Sequence, residues 1–87
     1  VFELTAQDIW ELYTLRASLE ALAASLAAKR VDDQVRQSLL EVFHEFQSAS
    51  VKRDSTIFSE ADFQVHRTIV EASSHKRLQA QYRLVEP

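Results

Sequence analysis

Cysteine, glycine and methionine are missing from the 87 residues, and proline occurs once, at Pro87. Without cysteine there are no disulfides and no thiolate metal ligands, which fits a reducing, cytoplasmic setting. Without glycine there is no phosphate-cradling loop and none of the residue that most readily interrupts a helix. No apolar run approaches the roughly 20 residues that a membrane-spanning helix needs, and the N-terminus lacks a charged stretch leading into an apolar signal core. A soluble chain with no membrane partner is expected.

Clustered positive charge is lacking as well. Ten Lys+Arg are scattered among thirteen Asp+Glu, for a net charge of -3, so nothing here grips a nucleic-acid backbone. Catalytic equipment is thin: there is no Cys nucleophile and no Ser set beside a His base, and Ser73, Ser74 and His75 read as helix-end residues. The chain is not expected to be an enzyme. Its length allows one small domain, which buries a modest fraction of its surface and calls for a partner surface. Opening on Val1 and stopping at Pro87 just past a helical pattern, it reads as a piece of a longer protein.

What is present is helical periodicity. Thr5 is an N-cap for the amide of Asp8, with Leu4 and Ile9 placed as a hydrophobic staple. From there Ile9, Leu12, Leu19, Ala23 and Leu26 form a seam running to about residue 28, with Arg16 inside it. A second stripe, Trp10, Leu15 and Leu22, gives this helix more than one coverable face, as an interface helix has. Lys29 and Arg30 then suit the helix C-terminus, and Asp32 or Asp33 caps a second helix over about 33–51. Its inner face carries Val35, Leu39, Val42, Phe46 and Ala49, and a short connection predicts an antiparallel hairpin with the first helix. Asp54 or Ser55 caps a third helix to about residue 72, and a fourth, over about 76–85, carries Leu78, Tyr82 and Val85 before Pro87. The expected fold is all-α, an antiparallel bundle of about four helices.

The third helix raises the functional question. Phe58, Asp62, Val65, His66, Ile69 and Ser73 share one stripe, which places a carboxylate and an imidazole one turn apart on the side meant for burial. Such a pair can be an internal hydrogen bond or a solvated edge, or can share one metal ion that needs further ligands. His44 reads as a surface residue, and His75 as a cap for the carbonyls ending the third helix. Arg16 either forms a helical ion pair with Glu20 or holds a carboxylate or phosphate in the interior.

Two runs in this order, ELYTLRASLEALAASLAA at 11–28 and FSEADFQVHRTIVEAS at 58–73, resemble the C-terminal effector-binding FCD domain of FadR-type regulators in the GntR family. The chain departs from that pattern in having Val65 before His66 and SSHKRL at the turn that follows. The resemblance implies that residues 1–87 are the front part of an effector-binding and dimerisation domain, with later helices and an N-terminal winged helix-turn-helix domain outside it. It implies a homodimer that meets operator DNA only through that other domain and senses a small organic acid. It also implies a divalent metal (Zn, Ni or Mn) held in the intact domain by Asp62, His66 and two histidines beyond Pro87. Arg16 corresponds to a family arginine that faces the effector cavity. Two rivals are a purely structural helical interaction module, which predicts no effector, and a small metal-dependent enzyme, which predicts turnover.

Overall fold

Side-chain caps set where each helix starts. The computed structural model describes residues 3–86, and within them the chain forms α1 (Ala6–Ala28), α2 (Asp33–Ser50), α3 (Ser55–Ala72) and α4 (Lys76–Arg83), with no strand. Thr5 and Asp8 form a reciprocal capping box at α1: the Asp8 amide donates to Thr5 Oγ1 at 3.0 Å, and the Thr5 amide donates to Asp8 Oδ2 at 2.9 Å. That amide, followed by the Thr5 hydroxyl, holds the Asp8 carboxyl below its ordinary pKa. Asp32 Oδ1 accepts from the Val35 amide at α2, and Asp54 Oδ1 accepts from the amides of Thr56 and Ile57 at α3.

His75 departs from expectation. It does not cap the carbonyls of α3; its Nδ1 accepts from the Leu78 amide at 3.0 Å and opens α4. The α3 carbonyls are already taken. Buried Ser73 donates its hydroxyl to the Val70 carbonyl at 2.6 Å, and Gln79 Nε2 reaches the Glu71 carbonyl at 3.2 Å. The free amides of the following helix were therefore the unmet need at this turn. Arg53 and Ser74, with φ of 54° and 55°, make the left-handed turns that glycine would ordinarily make. Pro87, expected to end α4, lies outside the described residues.

Neighbour order also departs from expectation. α1 and α2 do not form a hairpin; among the described residues α3 lies between them and packs on both, while α4 packs on α1 and α3. Phe46 of α2 stacks in tilted fashion on Phe58 near the start of α3, with ring centroids 5.2 Å apart, so these two helices run antiparallel. α1 and α3 run parallel: Arg16 and Glu20 face Asp62 and His66, and Ala23 further along joins Val70 in the core. α3 meets each neighbour with a different set of residues: Phe58, Thr68 and Ala72 lie toward α2, and His66, Ile69 and Val70 lie toward α1.

The core is small and lies where α1, α3 and α4 meet. Ala23, Val70, Leu78, Tyr82 and Val85 are buried there, with Leu12, Leu19, Leu26 and Ile69 packed around them. The three alanines buried among the described residues, Ala23, Ala27 and Ala49, let helices approach closely. The radius of gyration is 14.4 Å, against about 12 Å for a closed globule of this length. With Cα extents of 45 × 34 × 17 Å, the helices form an open layer rather than a closed barrel of helices. One consequence is that Trp10, Leu15 and Leu22 stand 60, 50 and 48% exposed along the outside of α1.

Candidate functional site

Arg16 and Glu20, one turn apart on α1, project toward the residues that α3 places one turn apart, Asp62 and His66. Together with Tyr13 and Ala17 they line one open cleft of about 200 Å³. The three residues singled out in the sequence thus meet at one place although they come from two helices. Asp62 and His66 are less buried than their stripe implied, with side chains 49 and 38% exposed, because the cleft opens to solvent above them. Larger hollows lie elsewhere, including one of about 500 Å³ whose lining includes Gln37, Leu40, Glu41, Phe43 and His44, but its walls come from α2 alone.

Both ring nitrogens of His66 face carboxylates. Nδ1 stands 3.2 Å from Glu20 Oε1, and Nε2 stands 3.3 Å from Asp62 Oδ1, both at ion-pair distance. Glu20 does not pair with Arg16, as its i+4 position invited. Its Oε1 accepts instead from the Tyr82 hydroxyl at 2.7 Å. Burial first, then this hydrogen bond to a carboxylate, raises the Tyr82 pKa above its ordinary value, so the phenol remains a donor. Arg16 Nε donates to the Val85 carbonyl at 2.8 Å, and its guanidinium carbon lies 5.8 Å from the Tyr13 ring centroid. The terminal nitrogens of Arg16 have no hydrogen bond among the described residues, leaving a two-pronged donor beside the cleft.

Glu20 and Tyr82 were missed as site residues. Tyr82 reads as core from its spacing, and it is core, with 1% exposure. Glu20 left one signal: it shares the α1 seam with Arg16, so that seam carries two opposite charges among Leu12, Leu19 and Ala23.

The family model described as the FCD domain matches residues 11–87. The chain belongs to the FCD domain family. No curated protein and no solved structure matches this FCD domain. Membership places it with regulatory, ligand-sensing domains of the GntR type rather than with catalytic ones. No helix among the described residues is long and apolar enough to cross a membrane.

A divalent metal is implied by the family resemblance, and the donors of this FCD domain can be tested against it. Two ligands about 2.1 Å from a zinc-like ion, at tetrahedral or octahedral angles, lie about 3.0–3.4 Å apart. His66 Nε2 and Asp62 Oδ1, at 3.3 Å, meet that spacing. They are two donors only: among the described residues no group of three or more His, Cys, Asp or Glu side chains is arranged to hold a metal ion. Glu20 does not make a third, because it faces the opposite ring nitrogen.

Proposed function

We propose that this chain is the effector-sensing part of a FadR-type, GntR-family transcriptional regulator, and that its α1–α3 cleft takes a small organic acid together with a divalent cation. The supporting observation is the convergence of Arg16, Asp62 and His66 on one cleft. Its volume of about 200 Å³ suits an acid of a few carbon atoms, being smaller than the roughly 300 Å³ at which drug-sized pockets begin.

Charge favours the cation-assisted form. An acid entering alone would meet two carboxylates, Glu20 and Asp62, against the single guanidinium of Arg16. Asp62 and His66 would hold a divalent cation, which would reverse that balance and supply a Lewis-acidic anchor for a carboxylate. Arg16 then holds a second carboxylate, or the far oxygen of the same one, through parallel N–H donors. By the family resemblance, two histidines outside residues 1–87 would complete the set of protein donors.

Glu20 fastens α4 through Tyr82, and Arg16 fastens the segment just past it through the Val85 carbonyl, so a ligand pulling on Arg16 alters how the end of α4 is seated. A regulator can exploit this only if the ligand prefers one arrangement of the helices. The exposed apolar side chains of α1, Trp10 on one flank and Leu15 with Leu22 on another, suit a homodimer, operator DNA is met through a separate N-terminal domain, and the setting is cytoplasmic. Calorimetry with Zn²⁺, Ni²⁺ and Mn²⁺, then with carboxylates from acetate to citrate, tests this. Asp62→Ala and His66→Ala abolish or sharply weaken metal uptake, and Arg16→Ala weakens the acid but not the metal. Equal binding by wild type and all three variants removes these residues from the site.

A further inference from the structure

We propose that the acid taken by the α1–α3 cleft is a zwitterion, a small amino acid whose carboxylate meets the Arg16 guanidinium and whose ammonium meets the carboxylates of Asp62 and Glu20. The inference rests on the reading of this cleft as the seat of an organic acid, and it names the class of that acid. The ammonium offsets the two carboxylates as a bound cation would, and it asks only for hydrogen-bond acceptors, not for a closed set of metal ligands.

Opposite charges face each other across this cleft without pairing. α1 and α3 run parallel, and Glu20 on one wall lies level with His66 on the other, their polar atoms 3.2 Å apart. Arg16 and Asp62 each stand one turn earlier on their own helix, so they too are level with each other on opposite walls. Among the described residues the ion pairs join His66 to Glu20 and to Asp62, and Arg67 to Glu71; Arg16 enters none of them. The Val85 carbonyl holds Arg16 Nε at 2.8 Å and so anchors the guanidinium, whose terminal nitrogens are left as donors. His66 stands against one oxygen of each carboxylate, and the Tyr82 hydroxyl donates to that same oxygen of Glu20. Asp62 Oδ2 and Glu20 Oε2 are left as acceptors among the described residues.

An amino acid satisfies both sets at once. A simple carboxylate would reach Arg16 but lie beside two like charges, and a simple amine would leave the guanidinium unmet. An amino acid offers two oxygens to the guanidinium fork and three N–H donors to the carboxylates, with its two charged groups on one carbon. Volume points to a small one: about 200 Å³ is the share of about seven water molecules at about 30 Å³ each, which a backbone and a short side chain fill. Tyr13 and the small Ala17 complete the lining. Such a ligand is held from α1 by Arg16 and Glu20 and from α3 by Asp62, so its binding ties the two helices together.

Titrations followed by NMR in metal-free buffer, with L-alanine, propionate and ethylamine as probes, test this. Propionate is alanine without the ammonium, and ethylamine is alanine without the carboxylate. L-Alanine moves the signals of Arg16, Asp62 and Tyr13 at about 10–100-fold lower concentration than either analogue. Asp62→Asn, at a side chain 49% exposed, removes most of the preference for alanine over propionate, whereas Arg16→Gln weakens both and leaves ethylamine as it was. Should Arg16→Gln lose its fold with the Val85 contact, Asp62→Asn alone decides, because a purely structural role would weaken alanine and propionate alike. Propionate that binds at these residues as tightly as alanine, or a preference that survives Asp62→Asn, overturns the zwitterion and leaves the acid site standing. Alanine and propionate that both leave Arg16 and Asp62 unmoved overturn the reading of the cleft as an effector site, and this proposal with it.

Discussion

Replacing Tyr82 by Phe isolates one hydrogen bond. The ring is 1% exposed and keeps its packing, so no cavity forms, but Glu20 Oε1 loses a donor at 2.7 Å. Hydrogen bonds to charged groups contribute about 1.5–3 kcal/mol. The Glu20 side chain is 21% exposed, so water partly replaces the phenol, and the expected loss lies near the lower end, about 1–2 kcal/mol. In urea unfolding, with a slope of about 1 kcal/mol/M for a chain this small, the midpoint falls by about 1–2 M.

The pH dependence of the same pair carries a sign. The Tyr82 pKa is raised above its ordinary 10.0, so the folded chain holds the phenolic proton more tightly than the unfolded chain does. Its contribution is complete below pH 10.0 and is lost as pH rises from there through the folded value. The stability gap between wild type and Tyr82→Phe therefore narrows at high pH. In a double-mutant cycle with Glu20→Gln, the coupling should be about 1 kcal/mol. A variant as stable as wild type, or a gap that does not close above pH 10.0, refutes the account of this pair.

Two further outcomes follow from other elements. Asp54→Ala leaves the amides of Thr56 and Ile57 without their acceptor and should cost about 1 kcal/mol, read as a lower thermal midpoint by circular dichroism. Trp10→Gln combined with Leu22→Gln should weaken self-association in sedimentation equilibrium without loss of helicity, since both side chains are about half exposed on the outer side of α1. A wild type that is monomeric at all concentrations contradicts the dimer reading.

Much of the fold was legible because it is encoded locally. Thr5 with Asp8, and then Asp32 and Asp54, announce helix starts by chemistry acting within three residues, and the helix bounds agree to within a residue or two. Leu78, Tyr82 and Val85 announce the buried side of α4 and its end by spacing. Neighbour order is not encoded this way. The short connection after α1 predicted an α1–α2 hairpin, but the two-faced α3 took the middle place.

The same distinction explains the site. Asp62 and His66 are one turn apart on one helix, and the pair is visible as a pattern. Arg16 stands out as a charge in an apolar seam. Glu20 looked like the helical partner of Arg16 because that is the nearest charge along α1. Its actual partners, His66 and Tyr82, lie on α3 and α4, and they become neighbours only when α1 runs parallel to α3 and antiparallel to α4.

The claim that the α1–α3 cleft is the effector site is tested most directly by where a ligand acts. Backbone and side-chain NMR shifts are followed as Zn²⁺ and then citrate are titrated into the chain, wild type beside Arg16→Ala. The account predicts that Zn²⁺ shifts concentrate at Asp62 and His66, that citrate adds shifts at Arg16 and Tyr13, and that Arg16→Ala loses only the second set. Shifts confined to another surface, or a citrate response that survives intact in Arg16→Ala, would contradict it.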